Sequence, residues 1–143
     1  MNLIYKFKKE KVNGELISRP RVPIILQGKT INLELSALID SGSDFTVIPE
    51  SIAKALDLNL SGVKGKLFAF RESSDVTKSY ADVTFKQDTN KITLNKAPIL
   101  VVLSNEKYDD ENDIILGVNG IFDHFKIIFD KLNNKIILES KDR

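Results

Sequence analysis

The chain has 143 residues, 42% hydrophobic and 29% charged, with 21 Lys and Arg against 20 Asp and Glu. That length and apolar content fit one soluble globular domain, burying roughly 70% of its unfolded surface without disulfide or metal staples. A net charge of +1 gives no field for nucleic acid or an anionic membrane, and no stretch approaches the 18 apolar residues of a membrane-spanning helix.

Short runs of valine, isoleucine, threonine and phenylalanine, broken by turn residues, predict a mainly β chain with one or two short helices. In chain order, "LIYKF" reads as a first strand, followed by a turn at Asn13-Gly14. "VPIIL" and "TINLELSALID" flank Gln27-Gly28-Lys29 as a hairpin. Ile31, Leu33 and Leu35 alternate with polar residues, and the pattern turns continuous at Ala37-Leu38-Ile39, as for a strand entering the core. "FTVIP" is a further short strand. "PESIAKALDL" reads as a helix, with Pro49 in its first turn, Glu50 at the positive end of the dipole and an apolar stripe of Ile52, Ala55 and Leu56. "GKLFAF" and "KSYADVTFKQ" predict strands around a polar tip, "RESSDVT"; Phe68, Phe70 and Phe85 alternate along them, most as core, with Phe68 or Phe70 available to a cleft. Asp88-Thr89-Asn90 turns into "KITL", and "APILVVL" is a buried strand. An acidic loop precedes "IILGVNGIF", and "FKIIFD" and "KIILE" close the chain around Asn133-Asn134. No repeat or linker interrupts the sequence, so one domain over 1–143 is expected, with 1–21 as an N-terminal extension.

What is absent narrows the chemistry. With no cysteine there are no disulfides, thiolate nucleophiles or cysteine-bearing zinc sites, which favours a reducing compartment. The first residues, "MNLIYKFKKEKVNG", lack the apolar core of a signal peptide, and a cytoplasmic location is the expectation. The single histidine, His124, rules out a multi-histidine metal centre, and no serine has the Gly-x-Ser-x-Gly setting of a nucleophile elbow. His124 itself reads as a surface residue. Carboxylates remain as the acid-base groups. The acidic run Tyr108 to Asp113 lacks the glycine and spacing of a calcium loop and reads as solvated, and the basic "KFKKEK" reads as a strand edge.

One carboxylate stands out. Asp40-Ser41-Gly42 follows an unbroken apolar run, so Asp40 leaves the end of a buried strand, where a carboxylate must be hydrogen-bonded, paired or used. Glycine permits a tight turn, and the Ser41 hydroxyl can hold the loop or a facing copy of it. Alone, such a triplet is also what an ordinary turn contains.

The longer segment "ALIDSGSDFTVIP", followed by "ESIAKAL", resembles the active-site segment of the retropepsin-like aspartic proteases, whose signature is apolar-apolar-Asp-Thr/Ser-Gly-Ala/Ser. Downstream, "DIILGVNGIFDHFKIIFD" resembles the family's apolar-apolar-Gly segment, short helix and closing strand, and "GKLFAFRESSDVTKSYADVTF" occupies the place of the flap hairpin, about 65–86. The resemblance spans about residues 22 to 138. It implies an all-β fold, a closed acid-protease β-barrel with one lobe per chain.

The resemblance also implies a mechanism. Two aspartates share a proton and hold a water; one carboxylate acts as general base while the other, protonated, polarises the scissile carbonyl. This chain offers one such aspartate, since Asp88-Thr89-Asn90 lacks both the glycine and the apolar lead-in. A homodimer is therefore implied, with two Asp40 carboxylates meeting across the axis and Ser41 linking the loops. The terminal strands "LIYKF" and "KIILE" become candidates for an intersubunit sheet. By the same resemblance Asp40 is catalytic, Ser41, Gly42 and Gly117 support its loop, and Asp44 contacts substrate backbone. Phe70, Arg71, Glu72 and Ser73 in the flap contact substrate. Val118 stands where viral members usually carry an arginine that pairs with the Asp44 position, and the flap tip has no glycine. The expected activity is endopeptidic hydrolysis of extended polypeptides by an activated water, without metal or cofactor and with neither nucleic acid nor membrane as a partner. The rival is a non-catalytic dimeric domain of the same fold that binds or scaffolds peptides.

Overall fold

The structure, a computed structural model, describes residues 1–69, 72–103 and 114–141. Its strands are β1 (Asn2–Tyr5), β2 (Lys8–Val12), β3 (Glu15–Arg19), β4 (Arg21–Gln27), β5 (Asn32–Ile39), β6 (Val47–Pro49), β7 (Lys64–Ala69), β8 (Glu72–Gln87), β9 (Asn90–Val102), β10 (Ile115–Leu116), β11 (Phe125–Asp130) and β12 (Lys135–Ser140). One helix, α1 (Glu50–Ala55), follows β6. The fold is all-β, as the turn-punctuated apolar runs predict.

The largest sheet has the order β4-β5-β10-β6-β9-β8-β7, and β4 also pairs with β8, so six strands form a ring of pairings from which β7 extends. Alternation fills the ring. Val22, Ile24 and Leu26 of β4, Ala37 and Ile39 of β5, and Val83 and Phe85 of β8 point inward and are almost fully buried, with Ile99 and Val101 of β9 opposite. The Phe85 ring meets Phe125 edge-on at 5.1 Å, joining the ring to the terminal sheet β1-β12-β11. Tyr5 fastens that sheet further: its hydroxyl donates to the Lys86 carbonyl at 3.1 Å, and burial pushes its pKa up to about 12. A third sheet, β2-β3, stands by itself.

Several turns form where the sequence signals them. Asn13 and Gly14, with φ of 51° and 82°, make the two-residue turn of the β2–β3 hairpin. Asp88-Thr89 connects β8 to β9, where Gln87 pairs with Asn90. Asp130 accepts hydrogen bonds from the Asn133 amide at 3.1 Å and side chain at 2.8 Å, closing the last hairpin.

Other expectations are corrected. "RESSDVT" is not a polar tip: β8 begins at Glu72, which pairs with Ala69, so Ser73 to Thr77 are strand and only two positions separate the strands. Ser73 and Asp75 are exposed where β8 pairs only with β7, while Val76 and Thr77 are buried where it also meets β9, so the polar residues belong to a strand rather than to a turn. "KITL" and "APILVVL" are one strand, β9, with Lys96 at φ 51° and a register shift opposite Asp82, whose carboxylate accepts the Lys96 amide. In α1 the buried face is Ala53 and Leu56 with Ile52 beside them, while Ala55 is exposed. At 3.6 residues per turn, Ala55 falls on the far side of the Ala53–Leu56 line. Ile31 lies outside β5 and is exposed, so the inward alternation begins at Leu33. The expected short helix after Gly117 is a single irregular turn, Val118–Phe122, with non-helical dihedrals at Asn119 and Gly120. Finally, within the chain "LIYKF" and "KIILE" pair with each other and β11 occupies the other edge of β12. This leaves the outer edges of β1 and β11 as the open edges of the terminal sheet. His124 is exposed, and Tyr108 to Asp113 lie outside the described residues.

Candidate active site

The loop between β5 and β6 carries Asp40 to Thr46. Its flanking strands do not pair with each other. Instead β10 lies between them, parallel to β5 (Ile115 to Leu38, Leu116 to Ile39) and antiparallel to β6 (Ile115 to Val47). The loop is thereby forced to arch over the end of β10. The end of β5 (Ala37 to Ile39), β10 and β6 are apolar and internal, which explains the continuous hydrophobic runs that frame the loop in sequence.

Backbone hydrogen bonds lock the arch. The Asp40 amide donates to Leu116 O at 3.0 Å, and the Ser43 amide donates to Asp40 O at 3.2 Å. From the other side, the amides of Val118 and Asn119 donate to Ser43 O and Asp44 O, both at 2.9 Å. The buried Thr46 hydroxyl accepts the Gly117 amide at 3.1 Å, and the Ser43 hydroxyl donates to Phe45 O at 2.7 Å. A Cβ on Gly117 would sit 2.1 Å from Phe45 O and 2.3 Å from its carbonyl carbon, so only glycine lets the two backbones touch.

Asp40 is half-buried at the start of the arch, and its Oδ1 accepts the Gly42 amide at 2.9 Å. The backbone of the turn does not require glycine at Gly42, contrary to what the sequence suggests. Its φ is not in the left-handed region; rather, a Cβ there would press on Asp40 Oδ1 at 3.2 Å. Ser41, Gly42 and Asp44 are exposed. Among the described residues the Asp44 carboxylate makes no ion pair; Val118, at the position where the resemblance implies an arginine, offers only its amide, which donates to Ser43 O, while the Asn119 amide holds the Asp44 carbonyl.

The hairpin β7–β8 projects from the ring on the β8 edge. Ser73 is exposed on it, paired with Phe68. Phe70 and Arg71, and the side chains of Phe68 and Glu72, lie outside the described residues.

Two residues escape the sequence reading. Thr46 bonds Gly117 from within the core, and its signal was available as a lone polar residue in an apolar run. Phe45 stays in the loop, because β6 begins only at Val47, and its ring is 40% exposed beside Asp44. A separate cavity of about 570 Å³, lined by Lys29, Asp57, Tyr80 and Lys96 among others, shares no residue with this loop. Among the described residues no helix is long and apolar enough to cross a membrane.

No protein-family model matches the sequence, and no curated protein matches it either. Solved structures do match in shape. A retropepsin-like aspartic protease from Rickettsia conorii superposes with a TM-score of 0.60 at 12% identity, covering 96% of this chain and 98% of that one. The retroviral protease-like domain of Ddi1 from Leishmania major superposes with a TM-score of 0.56 at 13% identity, covering 88% and 96%. The chain has the fold of the retropepsin-like aspartic proteases.

Proposed function

We propose that this chain is one half of a homodimeric aspartic endopeptidase, with Asp40 as its catalytic carboxylate. The observation that carries the reading is the arch: a half-buried Asp40, oriented by the Gly42 amide, at the start of a loop tied to β10 and its following turn by backbone hydrogen bonds. Such fixing costs no reorganisation when charge moves. A turn needing only to reverse the chain would not require a strand threaded beneath it.

In the dimer two Asp40 carboxylates share one proton, because like charges so close do not both ionise. The ionised carboxylate takes a proton from the water, whose oxygen attacks the scissile carbonyl carbon. The protonated partner gives its proton to the carbonyl oxygen. As the tetrahedral diol collapses and the C–N bond breaks, one diol hydroxyl returns its proton to the second carboxylate and the amine leaves with the proton held by the first, so the pair ends with one proton again. Ser41, Gly42 and Gly117 support the loop. Asp44 and the exposed ring of Phe45 contact an extended polypeptide, and the β7–β8 hairpin closes over it as the flap, with Phe70, Arg71, Glu72 and Ser73 nearest the substrate. The cysteine-free composition suits a cytoplasmic enzyme.

A second reading, a non-catalytic peptide-binding dimer, draws on the absence of an ion pair for Asp44 among the described residues. Cleavage of an unfolded protein mixture across pH ~3 to ~7 separates the two. The protease reading expects cleavage by the wild type and loss of about 10²- to 10⁴-fold in Asp40→Asn. Folded dimers that cleave nothing favour the peptide-binding reading.

A further inference from the structure

The hairpin β2–β3 has no evident reason to exist in an isolated chain. Its strands pair only with each other, and none of residues 8–19 belongs to a core cluster. Leu16 is 63% exposed and Ile17 38% exposed. A two-stranded ribbon in water is marginally stable at best, and open edges carrying exposed apolar residues invite pairing. The arm is nevertheless held firmly at its root. The Phe7 amide donates to the Asn134 side chain, Glu10 forms an ion pair with Arg21, and Pro20 O accepts the Ile39 amide at 2.9 Å. That last bond places the root one residue from Asp40.

We propose that the β2–β3 arm is a clasp that grips a second copy of this chain beside the Asp40 loop. The proposal rests on the dimeric reading above. If two Asp40 carboxylates meet, the symmetry axis passes beside Asp40, and the partner lies against whatever adjoins it. Ile39 adjoins it, and Pro20 at the arm's root is bonded to Ile39. A stable interface needs about 800 Å² from each partner. The exposed loop residues Ser41, Gly42, Asp44 and Phe45 are too few to supply that area. While the terminal sheet has open edges on β1 and β11, the arm is the open ribbon whose root is hydrogen-bonded to the residue before Asp40. The arm offers two open strand edges, with Val12 and Ile17 on one face and Leu16 on the other, as its register dictates. By two-fold symmetry each copy both extends an arm and receives one. The site would then be incomplete without the arm, since the arm brings the second carboxylate.

The test uses Leu16→Glu with Ile17→Glu in the full chain. Both positions are exposed, so the fold of the monomer is kept. A second variant replaces residues 8–19 with a short Gly-Ser linker. Sedimentation velocity of each in an Asp40→Asn background, free of self-cleavage, gives the dimer dissociation constant. The clasp predicts weakening by about tenfold or more for the double variant, equivalent to about 1.4 kcal/mol, and a larger loss for the linker variant. With Asp40 restored, cleavage lost at low protein concentration should return at high concentration. Unchanged dimer constants in both variants overturn the clasp, as does a wild type that stays monomeric. Cleavage that rises while dimerisation is unchanged also overturns it, and makes the arm a cover for its own cleft. A wild type that dimerises through the arm and cleaves nothing leaves the clasp standing and removes the protease reading.

Discussion

Two short stretches of this chain look alike and behave differently. Asp40-Ser41-Gly42 and Asp88-Thr89-Asn90 each put an aspartate and a hydroxyl residue directly after a strand. At Asp88 the flanking strands β8 and β9 pair with each other, Asp88 takes φ 54°, and the chain simply reverses. At Asp40 the flanking strands β5 and β6 are separated by β10, so the loop must arch, and hydrogen bonds from its backbone and side chains hold it in that shape. The contrast teaches that the residues of a loop do not fix its shape; the strand inserted between its ends does.

The sharpest way to break this comparison is to remove each carboxylate in turn. Asp40→Asn is expected to lower the cleavage rate about 10²- to 10⁴-fold. Asp88→Asn should leave it unchanged and hold the melting temperature, because asparagine tolerates the left-handed backbone of that turn. Equal losses in the two would end the distinction.

The next effect concerns how β10 and the loop touch. Gly117→Ala drives a Cβ into the Phe45 backbone and is expected to cost about 3 kcal/mol in denaturant unfolding. Gly42→Ala meets only a carboxylate oxygen at 3.2 Å and should cost about 1 kcal/mol, while displacing Asp40 enough to reduce cleavage. A reversed order would mean that the arch does not hold the loop.

Thr46→Val keeps the shape of the side chain and removes the acceptor for the Gly117 amide. The buried amide is left without its partner, at a cost of about 2 kcal/mol. Chemical denaturation measures the loss, and a neutral result would remove Thr46 from the account of the loop.

The smallest effect lies outside both stretches and serves as a reference for pH. Hydrogen bonds from the Asn133 side chain and amide hold the Asp130 carboxyl below its usual pKa. A folded pKa below the unfolded one means that this contribution is present above the unfolded value and fades as pH falls through the folded one. Asn133→Ala should therefore flatten slightly the acid limb of melting temperature against pH between ~5 and ~2. Effects on cleavage over the same range then belong to the Asp40 site rather than to the last hairpin.

Much of the fold was legible because alternation and turn chemistry are local. The hairpins at Asp88-Thr89 and Asn133-Asn134 formed where asparagine and aspartate signalled them, since those side chains favour the required backbone. The polar stretch Ser73 to Thr77 misled, because Ser73 to Asp75 lie in a projecting ribbon and the buried Thr77 is a hydroxyl residue satisfied within the fold, so polarity there marks no turn. The pairing of the two terminal strands within one chain was not legible either, because composition marks a strand and not its partner. At the site, Asp40 and Gly117 carried signals in their apolar settings. Phe45 and the loop-binding amides of Val118 and Asn119 carried none, since a backbone amide has no sequence of its own.

By itself the sequence determined an all-β chain, the sharp exit of Asp40 from an apolar strand, and the need for a second copy if that aspartate is to have a twin. These follow from period-two burial, from the cost of an apolar strand ending in a charge, and from counting motifs. Only the tertiary structure decided that β10 lies between β5 and β6, that Gly117 is required by contact with Phe45, and that β12 is closed on both edges while β2–β3 stands free. Those are facts about which strands become neighbours. They arise from packing residues more than 70 positions apart, such as Thr46 and Gly117, into one core, and no local pattern encodes that choice.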